Sequence, residues 1–186
     1  RMLLQMIFTM HRYFAFYIFL VLNLINLQYV PGFRGFNNFL TRFRMFALIN
    51  AGASIGKNSI IRPGALIINP GKLVIGKNTT VGMNTKFMNF ASVEIGNDVE
   101  IGPNCVFQTN EHVISDVKRP LGKQGKKMSP IVVDDNCYFG ADVTLLSGVK
   151  VEKNVLVGAK SLVNKNLKKL QFYAGVPAVC KRSLKN

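Results

Sequence analysis

The chain of 186 residues holds two histidines, and they keep different company. His11 lies in an apolar run, whereas His112 follows Asn110 and Glu111 where a regular pattern breaks. An imidazole is suited to take and return a proton near neutral pH. A lone histidine is structural more often than catalytic, so residue type alone leaves both roles open. Cys105, Cys137 and Cys180 make an odd set with no metal-ligand spacing, and they read as small hydrophobes in a reducing compartment. There is no GxSxG elbow and no evident Cys–His pair, so covalent catalysis has no candidate nucleophile.

The elements that must position these groups follow from a period of six. Large apolar residues recur at Ile55, Ile61 and Ile67, at Ile75, Val81 and Phe87, and at Ile95, Ile101 and Phe107. They resume at Val133, Phe139, Leu145, Val151, Val157 and Val163. The fifth position of each repeat is usually small, as at Ser59, Ala65, Gly71, Thr79, Thr85, Ala91, Val99, Cys105, Cys137, Val143, Val149 and Ser161. Six fits neither a helical stripe nor plain strand alternation. It fits short strands joined by corners, each sending one large and one small residue into a shared interior. Three repeats make an eighteen-residue coil, giving 55–72, 75–92, 95–112, 133–150 and 151–168. Two-residue insertions separate the first three coils, and an excursion, 113–132, follows the third. Coils of this kind bury a continuous core only by stacking.

Net charge is +15, with basic residues crowding the excursion (Lys118, Arg119, Lys123, Lys126, Lys127) and the end of the chain. No nucleic-acid motif accompanies them, which points away from nucleic acid and toward a phosphorylated cofactor and anionic lipid. Residues 13–30 carry no charge. As a helix they would run about 27 Å against a hydrocarbon thickness of roughly 30 Å, long enough to span or lie on a bilayer. After Pro31-Gly32, residues Phe36, Phe39, Leu40, Phe43 and Ala47 share a helical face, and Arg34, Arg42 and Arg44 add charge, as in a membrane-surface helix or an end cap.

Repeats such as IGKNSI, IGKNTT, VGMNTK, IGNDVE, IGPNCV, FGADVT and VGAKSL resemble the hexapeptide-repeat acyltransferases over residues 49–182. The resemblance implies a mainly β fold, a left-handed parallel β-helix solenoid of about five coils behind an N-terminal hydrophobic and amphipathic helical segment. Handedness rests on the resemblance alone, since parallel crossovers are generally right-handed. The expected organisation is a membrane-associated helical leader (1–48), a repeat domain (49–168) and a basic tail (169–186). A homotrimer with sites between neighbouring chains is also implied.

The run Phe107–His112 is similar to the family's repeat that ends in a catalytic His before a long loop. The resemblance therefore makes His112 a general base that accepts a sugar hydroxyl proton as the oxygen attacks acetyl-CoA. Glu111 is a candidate to orient the imidazole or contact substrate. FMNFASVEIGND, residues 87–98, looks like the run in which an Asn contacts the acceptor, which makes Asn89 the candidate. Tyr138 stands where many members have Trp at the acceptor wall. Oxyanion donors are expected near Gly140 and Ala141. VGAKSLVNKNLKKLQFYAGVPAVCKR resembles the CoA-groove ending, so Gly158, Ala159 and Lys165 should line pantetheine, with Lys181 or Arg182 near nucleotide phosphate. Lys160 and Asn164 depart from the family's Gly and Thr.

The implied function is acetyl-CoA-dependent O-acetylation of a sugar, with a lipid-linked sugar among the candidate acceptors, in O-antigen or capsule synthesis at the cytoplasmic face of the membrane, without a metal. Alternatives are an acetyltransferase acting on a soluble substrate, serine or a xenobiotic, or a non-catalytic trimeric scaffold. The three-histidine zinc site of the hexapeptide-fold carbonic anhydrases has too few histidines here.

Overall fold

The computed structural model describes residues 2–24 and 34–184. Two helices, α1 (Met2–Leu24) and α2 (Arg34–Asn50), precede a solenoid of three parallel faces. The first face stacks Ser54–Ile55, Leu73–Ile75, Val93–Ile95, Ile131–Val133 and Lys150–Val151. The second stacks Ile60–Ile61, Thr80–Val81, Glu100–Ile101, Tyr138–Phe139, Leu156–Val157 and Gln171–Ala174, then adds Val179–Ser183 in antiparallel pairing. The third stacks Leu66–Ile67, Lys86–Met88, Val106–Gln108, Thr144–Leu145 and Leu162–Val163.

Register shows why these residues fold this way. Ile55, Ile75, Ile95, Val133 and Val151 are direct partners in successive coils, so like side chains stack on like. Every repeat start from Ile61 to Val163 is buried, and Ile55 is partly so. Phe87 stacks on Phe107 at 4.9 Å, and Phe139 meets Phe107 edge-on at 6.3 Å, filling the core beneath the excursion.

Three expectations need correction. Gly71 is exposed and Ala91 half-buried, because the extra residues widen the corner from third to first face. Leu73 and Val93 take the interior place two residues later. Ile131 already pairs with Val93 and is fully buried, so the excursion returns before 131. The expected tail is no tail: Tyr173 enters the core, and Phe172 and Tyr173 pair with Leu156 and Val157, adding a sixth, partial coil. Tyr173 closes it, its hydroxyl accepting from Lys168 N and donating to Gln171 Oε1.

The fourth repeat position turns the chain. Asn58, Asn78, Asn84, Asp98, Asn104, Asn136, Asp142 and Asn154 all have φ between 53° and 62°, the left-handed region that Asn and Asp tolerate. Their side chains link coils: Asn58 donates to Asn78, Asn78 to Asp98, and Asn136 to Asn154.

The helices cover the first coil. Phe19, Ala47 and Leu48 join the solenoid core, while Phe16, Ile18 and Met45 pack partly against it. The helix α1 runs unbroken through His11 and Arg12. Among the described residues no helix is long and apolar enough to cross a membrane. The expected basic face of α2 is not as drawn. Arg44 is buried, its pKa lowered by desolvation, with Nη2 donating to Thr41 Oγ1 at 3.1 Å. Ala47 faces inward, and Phe39, Phe43, Phe46 and Ile49 face out.

Candidate active site

The excursion leaves the third-to-first corner of the third coil as a hairpin. Asn110–His112 pairs antiparallel with Lys126–Met128, in the register Asn110 with Met128, Glu111 with Lys127 and His112 with Lys126. Strand alternation therefore puts His112 and Lys126 on one side of the hairpin and Glu111 and Lys127 on the other. His112 is exposed. Glu111 lies 3.8 Å from Lys127 Nζ, so its carboxylate is turned to that cation and does not orient the imidazole.

Two polar clamps fix this hairpin, and sequence reasoning missed both. Thr109 is fully buried at its root. Its hydroxyl donates to Met88 O at 2.9 Å and accepts from Ala91 N at 3.0 Å. Its carbonyl accepts from Ser129 N on the returning strand and from Ser147 Oγ in the fourth coil. At the tip, Gln124 Oε1 accepts from Ser115 N and Asp116 N, and Nε2 donates to the carbonyls of Asp116 and Arg119. The pattern of a buried Thr followed by Asn-Glu-His carried no signal beyond the loss of the repeat. The imidazole thus projects from a braced arm rather than a loose loop.

The other site candidates separate into two groups. On the second face, Tyr138 is exposed and pairs in register with Glu100 and Leu156. The adjoining corner stacks Gly102, Gly140, Ala141, Gly158 and Ala159, with Lys160 N donating to Ala141 O. Gly140 N already donates to Val157 O at 2.8 Å, and Gly158 N to Tyr173 O. Neither can be an oxyanion donor, so of the expected pair the geometry leaves Ala141. Arg182 lies over the Phe172 ring at 5.8 Å on this face, and Lys181 is exposed beside it.

His112, Glu111 and Lys165 belong to the other edge, between third and first faces, where Lys165 is exposed. Asn89 lies at that edge too, but inside it. It is fully buried, with Oδ1 accepting from Asn69 N and Nδ2 donating to Asn69 O. In this structure Asn89 staples two coils and presents nothing to an acceptor. A single chain thus does not bring the imidazole together with the glycine corner.

Cys105 and Cys137 sit in the core, and burial pushes each thiol up to about 11. Cys105 Sγ donates to Gly140 O at 3.2 Å, beneath the glycine corner. Cys180 is exposed. Among the described residues no group of three or more His, Cys, Asp or Glu could hold a metal ion.

A family model described as a hexapeptide repeat of succinyl-transferase matches residues 72–108 and 130–163. A protein named as a colanic acid biosynthesis acetyltransferase, WcaF of Escherichia coli, is 32% identical over 140 residues, covering 75% of this chain and 74% of that protein. A galactoside O-acetyltransferase of Lactococcus lactis is 31% identical over 133 residues, 71% of this chain. The chain spans 63% of that relative, less than two thirds of its length. Among solved structures, a hexapeptide-repeat acetyltransferase of Vibrio cholerae matches with a TM-score of 0.78 at 26% identity, covering 96% of this chain and 93% of that one. That protein has also been solved with acetyl coenzyme A. The shared architecture is the left-handed parallel β-helix.

Proposed function

The chain belongs to the hexapeptide-repeat acetyltransferases, and from that premise we propose that it moves an acetyl group from acetyl-CoA to a sugar hydroxyl during assembly of a surface polysaccharide. The observation that carries the chemistry is the exposed His112 imidazole held on a hairpin pinned by Thr109. His112 takes the proton of the acceptor hydroxyl as that oxygen bonds to the thioester carbon. The resulting oxyanion is met by Ala141 N–H, collapse breaks the carbon–sulfur bond, and the imidazolium returns its proton to the departing CoA sulfur. Atoms and charge balance with no acyl-enzyme.

The two edges of one prism, one carrying His112 and the other Gly140, Ala141, Gly158 and Ala159, complete a site only between chains. We therefore propose a homotrimer in which the glycine corner of one chain faces the hairpin of the next. Lys181 and Arg182 supply cations for the CoA phosphates, Lys165 lines pantetheine from the hairpin edge, and Tyr138 supplies an aromatic wall. The apolar outer face of α1 and α2 supports attachment to the cytoplasmic face of the membrane, where acetyl-CoA is available. The relatives named as a galactoside O-acetyltransferase and as a colanic acid biosynthesis acetyltransferase support a sugar acceptor. Mass spectrometry of surface glycans from cells with and without the gene tests the reading. A difference of one acetyl per repeat unit is expected; identical glycans, together with no transfer by purified enzyme to any sugar, overturn it.

A further inference from the structure

A cavity of about 430 Å³ opens where α1 crosses the first coil, bordered by Arg12, Tyr13, Phe16, Asn69, Pro70 and Lys72. Two cations and an aromatic wall make an unusual junction between a helical cap and a β corner. The Arg12 guanidinium donates to Ala51 O and lies over Gly52 and Gly71, where a Cβ at either position would collide with it. Glycine at both places keeps the guanidinium at the cavity, and Gly52 also has φ of +110°. All nine acids lie between Glu94 and Glu152, so the sequence places no acidic side chain on the helices or the first two coils.

A chain of contacts leads from this cavity to the imidazole. Lys72 Nζ donates to Phe90 O one coil further along the same edge. The Phe90 ring lies under Lys126 Nζ at 5.9 Å. Lys126 is the cross-strand partner of His112, on the same side of the hairpin. Cavity and imidazole are thus about two coil spacings apart, roughly 10 Å, with Lys126 between them. On its other side the cavity opens at Tyr13 onto the exposed stripe Met10, Tyr13, Phe14, Tyr17 and Val21. That stripe runs about 17 Å along α1.

We infer that this cavity is the phosphate subsite of the acceptor, and that the acceptor is a sugar carried on a long-chain lipid diphosphate. The inference rests on the sugar O-acetyltransferase reading and names its substrate class. The diphosphate lies between Arg12 and Lys72, the sugar extends past Lys126 to His112, and the chain lies on the α1 stripe. Each part of such a molecule meets its complement: charge-assisted bonds for the phosphates, apolar surface for the tail.

The test is binding without acetyl-CoA, so it does not depend on turnover. Full-length protein is sedimented with phosphatidylcholine vesicles containing phytanyl diphosphate, or phosphatidylglycerol at matched charge, with inorganic pyrophosphate as competitor. Tighter retention by phytanyl diphosphate is expected, weakened about tenfold by Lys72→Gln with an unchanged melting curve. Equal retention on both lipids, or retention unaffected by Lys72→Gln, overturns the subsite in favour of a general anionic surface. Pyrophosphate binding as tightly as the lipid also overturns it, in favour of a free-phosphate site. His112→Ala should bind phytanyl diphosphate normally. Lysine-dependent lipid binding by a protein that acetylates no sugar would sink the transferase reading and leave the subsite standing.

Discussion

His112 stands directly across from Lys126 in the excursion's hairpin, with Glu111 and its partner Lys127 on the opposite side. The arrangement separates two acidic or basic neighbours that adjacency in sequence would lump together. If His112 is the base, His112→Ala lowers acetyl transfer by roughly a hundred- to ten-thousand-fold. Because the ring is exposed, thermal unfolding should be unchanged. Glu111→Gln should change the rate by only a few fold. A His112→Ala enzyme of normal activity, or a Glu111→Gln enzyme as damaged as His112→Ala, would reject this assignment.

The root of that hairpin is the next place to probe. Thr109→Val keeps the shape but leaves Ala91 N without its acceptor and removes a donor from Met88 O, both partly buried. A cost of about 1–3 kcal/mol is expected, read by denaturant unfolding. Since the acceptor cavity is built elsewhere, kcat should fall more than KM rises. A variant with wild-type stability and kcat would show that the arm does not depend on this anchor.

Gly140 and Gly158 look alike in the repeat but differ in what surrounds them. A Cβ on Gly140 would lie 2.5 Å from Ala159 N, a backbone atom that cannot step aside. On Gly158 it would lie 3.0 Å from the Ala174 Cβ, a side-chain neighbour. Gly140→Ala should destabilise by about 1–3 kcal/mol and raise KM for acetyl-CoA by pushing apart the edge that presents Ala141 and Ala159. Gly158→Ala should do less of both. The reverse order in melting temperature and KM would contradict the stacking described for this corner.

Sequence conveyed the stacked core almost completely, because a side chain at each repeat start has one environment wherever it falls: Ile75, Ile95 and Val133 are literal neighbours. The turn residues were equally regular, with Asn58, Asn78, Asp98 and Asn136 at one repeat position, yet a pattern read through hydrophobicity passes over them. What stayed illegible depends on direction and on distant pairing. Asn89 sits in the expected neighbourhood but points into the corner, because Asn69, twenty positions earlier, offers both a donor and an acceptor. Arg44 occupies a charged slot on the helical wheel yet faces the core, and Lys72 meets Phe90 only because an inserted corner brings them together.

Thiol chemistry offers a pH test of the packed interior. Cys105 and Cys137 are buried and pushed up to about 11 by desolvation, whereas Cys180 is exposed. Iodoacetamide at neutral pH should label Cys180 alone in the folded protein and all three in denaturant. The ordinary thiol value is 9.0, so the unfolded chain ionises before the folded one. The stabilisation is complete below 9.0 and lost as pH rises toward about 11. Cys105→Ala should flatten that alkaline loss. Rapid labelling of Cys105 at neutral pH would mean that the core beneath Gly140 is open.

The outer face of α2 is the sharpest test of membrane attachment. Phe39, Phe43, Phe46 and Ile49 are between 40% and 63% exposed, while Leu48, one residue from Ile49, is fully buried against the solenoid. Full burial of such a side chain stabilises by about 1.5–3 kcal/mol, so leaving four in water on a helix that already has a packed face calls for a partner surface. If that surface is lipid, Phe46→Glu should leave the melting curve alone and sharply reduce sedimentation with anionic vesicles. Leu48→Glu should instead unfold the cap, because it places a charge in the core. If Phe46→Glu leaves vesicle binding intact but dissociates an oligomer in size-exclusion chromatography with light scattering, the face belongs to a second copy of the chain and not to the membrane.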